Sequence, residues 1–168
     1  MNIIERMQRL REHMAAQGDN LGAAFIEFQL QHGREWTFTP WDDKKYRGMR
    51  GPAGECYGAS QALAEQNPKT LTYVEGVALY DHGIATHGWC VDAKGNVQDP
   101  TDSLPEYFGV PLSRAWVKRT LAEQKRPIPR KDAITGRMVT IAPYKTALYL
   151  VFEQGADLTG FRDARWAA

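Results

Sequence analysis

Cys56, His87 and Asp99 follow one another in an order that suits thiol chemistry. A thiol attacks a carbonyl carbon as its thiolate, and a helix N-terminus together with an imidazole held by a carboxylate favours that form. The stretches that carry the three residues are Gly54-Glu-Cys-Tyr57, His87-Gly-Trp89 and Val97-Gln-Asp-Pro-Thr101, with Tyr73-Val-Glu-Gly76 between the first two. Nucleophile, base and orienting carboxylate are all present, which predicts a cysteine enzyme working through an acyl-enzyme.

The elements around these residues must bring them together. Ala59, Ala62, Leu63 and Ala64, stopped by Asn67-Pro68, predict a short helix over 56–66 with Cys56 in its first turn. Residues 71–80 are rich in strand formers, 85–91 alternate, and 96–99 form a short return strand. In the middle strand His87, Trp89 and Val91 share one face, while Thr86, Gly88 and Cys90 share the other. Register then decides whether Asp99 reaches His87. A two-residue turn at Lys94-Gly95 would pair Cys90 with Asp99 and put the carboxylate on the wrong face. A three-residue loop of Ala93, Lys94 and Gly95 pairs Asp92 with Asn96 and Trp89 with Asp99. His87 and Asp99 become diagonal neighbours, with Cβ atoms about 7–8 Å apart or less. Gly95 favours this second register, because such a loop ends on a left-handed residue.

The backbone N–H of Cys56, at a helix N-terminus, is a natural oxyanion donor. Trp36, Trp41 and Tyr46, in the aromatic segment that precedes the cysteine, are candidates for a second donor, with Trp41 preferred. Tyr57 and Trp89 flank the nucleophile and base and are further candidates for substrate contact.

Ile3, Met7, Leu10 and Met14 recur at helical spacing and predict an amphipathic helix over 2–17. Residues 21–30 extend as a second helix until His32-Gly33, and 33–54 read as a long irregular loop. Beyond the return strand, 112–124 can form a helix, the basic run 125–131 a connector, and the apolar run 146–153 a last strand. One domain over 1–168 is expected from 168 residues, 43% hydrophobic and 24% charged. A formal net charge of +1 gives no global pull toward nucleic acid or an anionic membrane. No run is long and apolar enough for a membrane span, and Met1-Asn-Ile-Ile-Glu-Arg lacks the features of a signal peptide, which leads us to expect a cytoplasmic protein with its two cysteines free. No metal is expected, since neither Cys-x-x-Cys nor His-x-x-x-His spacing occurs. No phosphate loop occurs either, and no cofactor is called for.

The four stretches together resemble the transglutaminase-like superfamily. Gly54-Glu-Cys-Tyr57 is similar to its Gly-x-Cys-aromatic, His87-Gly-Trp89 to its His-Ala-Trp, and Val97-Gln-Asp-Pro-Thr101 to its Val-Asp-Pro-Thr, while Tyr73-Val-Glu-Gly76 resembles the strand after the nucleophile helix. The resemblance covers about residues 46–110. It implies an α+β, papain-like core, in which a helix bearing Cys packs on an antiparallel sheet bearing His and Asp. Here that core would follow an N-terminal amphipathic helix. It also implies Cys56 as nucleophile, His87 as base and Asp99 as orienter, acting on an amide of a protein or peptide. Peptidases, deamidases and cross-linking transferases all occur in that superfamily. Gly88 departs from its commoner Ala, and neither a calcium nor a coenzyme A pattern is present.

Other residues have plainer readings. Cys90 reads as core filler, Asp92 as a turn former, Glu75 as a sheet-surface residue in a structural ion pair, and His82 as a solvated turn residue. The competing reading of the whole chain is a non-catalytic binding protein, of bacterial or phage origin, on the same scaffold.

Overall fold

The computed structural model describes residues 1–125, 130–131, 136–139 and 145–167. Two helices lead the chain, α1 (Ile3–Ala16) and α2 (Asn20–His32). A capping box fixes the start of α1, with Asn2 accepting from the Glu5 N–H and Glu5 accepting from that of Asn2. Ile3 and Met7 are buried, whereas Leu10 and Met14, further along the same stripe, are only partly covered. A loop that carries Trp41 and Tyr46 then connects β1 (Arg34–Trp36) to α3 (Cys56–Gln66).

The antiparallel sheet follows, with β2 (Leu71–Tyr80), β3 (Gly83–Asp92), β4 (Val97–Gln98) and β5 (Tyr107–Leu112) in the order β1-β5-β2-β3-β4. The sheet curls until its two edges meet. Thr37, just past β1, bridges Asn96, just before β4, with Thr37 N–H donating to Gly95 O at 3.2 Å and Val97 N–H to Thr37 O at 2.9 Å. Inside the curl lies an aromatic core of Trp36, Val74, Ala78, Trp89, Val91, Val97 and Tyr107. The outer face, through Tyr73, Val77, Cys90, Val110 and Leu112, packs with the helices in the larger core. Strands this close need small residues at the crossing, and a Cβ on Gly76 would stand 2.2 Å from the Phe108 carbonyl oxygen.

Three expectations need correction. Residues 33–54 are not wholly irregular, because Arg34–Trp36 pairs with Tyr107–Leu112, itself a strand that the sequence reading left out. The apolar run expected as a last strand is α5 (Ala147–Gln154), closed by Gly155 at φ +68°. Glu75 is not on the surface: it is 1% exposed, and it caps that helix. Its carboxylate accepts from Ala147 N–H at 2.8 Å, Leu148 N–H at 2.8 Å, Thr146 Oγ1 at 2.7 Å and Tyr73 Oη at 3.0 Å. Four hydrogen-bond donors, rather than a cation, satisfy it. An apolar octet reads equally as strand or buried helix, and a residue 72 positions away decides here.

The helix expected near 112–124 is α4 (Arg114–Glu123), capped by Ser113. Arg130–Lys131 (β6) and Met138–Val139 (β7) pair as a separate two-stranded ribbon. The centre of the expected connector, 126–129, lies outside the described residues. No described helix is long and apolar enough to cross a membrane.

Candidate active site

Cys56 is the first residue of α3, whose N-cap residue Glu55 makes no side-chain cap and pairs instead with Lys145. The first N–H groups of a helix have no partner within it, so the turn that carries Cys56 points donors and the positive end of the helix dipole outward. α3 lies across the outer face of β3, where Ser60 Oγ donates to Gly88 O at 2.9 Å and the Cys90 thiol donates to Ser60 O at 3.1 Å. Gly88 is what lets the helix sit so close, since a Cβ there would be 2.8 Å from Tyr57 Cδ1.

His87 points the other way, into the mouth of the curl. β4 pairs only with Cys90 and Val91, so the edge of β3 beside His87 is left uncovered and the first turn of α3 can reach the imidazole around it. The register is the one that Gly95 favours. Cys90 pairs with Gln98 and Val91 with Val97, Asp92 N–H donates to Asn96 O at 3.0 Å, and Gly95 has φ +84°. Asp92 forms the turn, its Oδ1 accepting from Lys94 N–H at 2.8 Å and Asn96 N–H at 3.0 Å.

That register sets Asp99 against the ring. His87 Nε2–H donates to Asp99 Oδ2 at 2.7 Å, with the two side chains only 1% and 3% exposed. Oδ2 also accepts from Tyr107 Oη at 2.9 Å, and Oδ1 accepts from Thr101 N–H, Thr101 Oγ1 and Asp102 N–H at 2.9, 3.0 and 3.1 Å. A carboxylate surrounded by five donors is fixed in place and in charge. Nε2 therefore holds the proton, and Nδ1 is the nitrogen turned to Tyr80 Oη, at 3.0 Å, with the Cys56 thiol near enough to act on the ring's charge. Tyr80 Oη also donates to Asp102 Oδ2 at 3.4 Å.

Electrostatics follows from these contacts. Burial pushes the His87 imidazole down, but the hydrogen bonds to Asp99 and Cys56 outweigh it and raise the pKa to about 9. Burial pushes Asp99 up, and the His87 hydrogen bond and charge hold it below the usual carboxylate value. Cys90 is fully buried and its thiol is pushed far up by desolvation, which leaves it an inert core residue.

The structure thus brings Cys56, His87 and Asp99 together, and it distributes the other candidates elsewhere. Trp89 is fully buried and stacks behind His87, with ring centroids 6.0 Å apart and planes 18° apart. It sets the ring's orientation rather than offering a surface to substrate. Trp36 donates its indole N–H to Gly109 O at 3.1 Å inside the curl, and Tyr46 is a core residue, 1% exposed. Trp41 packs on Tyr46 beneath Arg50 and borders a groove with Asp92, Asn96 and Gln98 at the turn end of β3. Asp92 is five residues along the strand from His87, about 17 Å away. Tyr57 alone of these lies beside the thiol, packed over Gly88. Comparison with family models, with curated proteins and with solved structures gives no match.

Tyr107, Tyr80 and Thr101 join the site without having been foreseen. Tyr80 had a usable signal: a two-residue turn at Asp81-His82 pairs Tyr80 with Gly83 and Gly76 with His87, so Tyr80 and His87 share a face. Tyr107 had none, because the pairing of β5 with β2 is a long-range choice.

Proposed function

We propose that this chain is a cysteine-dependent acyl-transfer enzyme with a transglutaminase-like core, acting on an amide bond of a protein or peptide. The observation that carries the reading is the direction of the His87 ring. Its Nε2 is held by Asp99 at 2.7 Å, which leaves Nδ1 as the nitrogen free to serve Cys56, a residue at a helix N-terminus whose thiol lies close enough to raise the ring's pKa.

The chemistry follows from that direction. With His87 protonated, Nδ1–H stabilises the Cys56 thiolate. Sγ attacks the carbonyl carbon, and the oxygen that becomes negative is met by the backbone N–H of Cys56. As the carbon–nitrogen bond breaks, Nδ1–H gives its proton to the departing amine, leaving a thioester on Sγ. Nδ1 then takes a proton from water, for hydrolysis or deamidation, or from an amine, for transfer. Asp99 keeps Nε2 protonated throughout and offsets the imidazolium charge. Tyr80 passes the imidazole's contact on to Asp102.

One observation favours the second reading, a binding protein with a resting triad: the Tyr80 hydroxyl shares Nδ1 with the thiol. Incubation of wild type and Cys56→Ala with candidate peptides and intact-mass analysis separates the two. A gain of one mass unit, a cleavage or an adduct, each lost in Cys56→Ala, supports the enzyme. Full biological effect retained by Cys56→Ala refutes it.

A further inference from the structure

A cavity of about 430 Å³ opens between the α1–α2 hairpin and the β2–β3 hairpin. Its wall is mostly apolar, with Leu10, Met14, Phe25, Val77 and Ile84 among the residues that form it. α1 explains why this wall is not covered. Its apolar stripe runs Ile3, Met7, Leu10, Met14; the first pair is buried in the core and the second pair faces the cavity. Apolar side chains at core spacing that are only partly covered by protein, inside a concave wall, are what a small apolar ligand requires, and the volume falls in the range of about 300–1,000 Å³ for such sites.

The position of the cavity says which ligand. Tyr57, which follows Cys56, forms part of its wall, and so does Thr86, which precedes His87. On β3 successive side chains take opposite faces, so the cavity opens on the helix side while the imidazole stands on the other. Cys56 itself is not part of the wall, so a group joined to a carbonyl carbon at Sγ would enter past Tyr57, on the face of β3 away from His87. We propose that this cavity holds the apolar part of the acyl group that Cys56 transfers. This rests on the thiol-enzyme reading above and adds the class of acyl group, an aliphatic one larger than acetyl.

The test uses p-nitrophenyl esters of acetate, butyrate, hexanoate and octanoate, with N-acetylglycine and N-acetylleucine esters as a second arm. The thiolate of Cys56 forms a thioester bond as the carbon–oxygen bond to p-nitrophenolate breaks, and water then releases the carboxylic acid and regenerates the thiol. Burial of each methylene raises kcat/KM about fourfold until the cavity is filled. The steeper arm tells whether an alkyl chain or a peptide side chain is the occupant. Ile84→Trp, at a partly exposed wall position, fills the space and flattens both arms. Turnover that is equal for acetate and octanoate, or an octanoate preference that survives Ile84→Trp, overturns the proposal and leaves the thiol chemistry standing. In Cys56→Ala, sodium octanoate raises the melting temperature and Ile84→Trp removes that rise. If octanoate binds in this way but no ester is turned over, the thiol-enzyme reading fails, and the acyl role of the cavity fails with it.

Discussion

Replacing Asp99 by Asn isolates the carboxylate's effect on the imidazole. The amide keeps the size of the side chain, and its oxygen can still accept from His87 Nε2 or from Thr101, but the negative charge is gone. In the wild type the carboxylate and the thiol overcome burial and hold His87 at about 9, so at pH 7.5 the ring is almost fully protonated. Without the charge, the ring returns to its ordinary value of about 6.5 or below, where about one-tenth is protonated at that pH. If the imidazolium is what keeps sulfur as thiolate, alkylation of Cys56 falls about tenfold. The measurement is a timed iodoacetamide reaction at pH 7.5, quenched in acid and read by peptide mass spectrometry. Buried Cys90 in the same sample serves as the internal standard for intact fold. Equal Cys56 rates in wild type and Asp99→Asn, with Cys90 protected in both, would show that the pair does not activate the thiol.

Other consequences can be checked on the folded protein alone. The His87 pKa is higher folded than unfolded, so the stabilisation it brings, at most about 3 kcal/mol, is fully present below pH 6.5 and is lost as pH rises through about 9; urea titrations across that window should show the loss in wild type and not in His87→Gln. Glu75→Leu strands two backbone N–H groups and two hydroxyls in the core and should cost about 3 kcal/mol in urea unfolding, while Glu75→Gln, which keeps an acceptor, should cost about 1 kcal/mol. Gly95→Ala should cost about 1–2 kcal/mol through its backbone alone, since φ is +84° and the new Cβ meets Trp36 no closer than 3.6 Å.

The parts of the site that were legible are those fixed by neighbours in sequence. The start of α3 at Cys56, the alternation along β3 and the loop closed by Gly95 are local, and together they place Cys56, His87 and Asp99. What escaped depends on distant partners. α5 is helical because Glu75 offers its carboxylate to the first amides of that segment, and nothing within the apolar run itself records this. β5 carries Gly109 and Pro111, poor strand formers, and it exists because β1 and β2 pair with it on either side. Trp41 illustrates the opposite error: an aromatic residue shortly before a nucleophile attracts a chemical role, yet the loop carries its indole to the turn end of the hairpin.

The Glu75 cap also determines how this molecule comes apart. Helix ends ordinarily fray one turn at a time, but the amides of Ala147 and Leu148 are bonded to a side chain in the middle of β2. They can exchange with solvent only when the central strand loosens. The helix over 147–154 and the middle of the sheet therefore open as one cooperative unit, and Thr146, bonded to the same carboxylate and bordering the cavity beside Tyr57, is held by the central strand rather than by a frayed end.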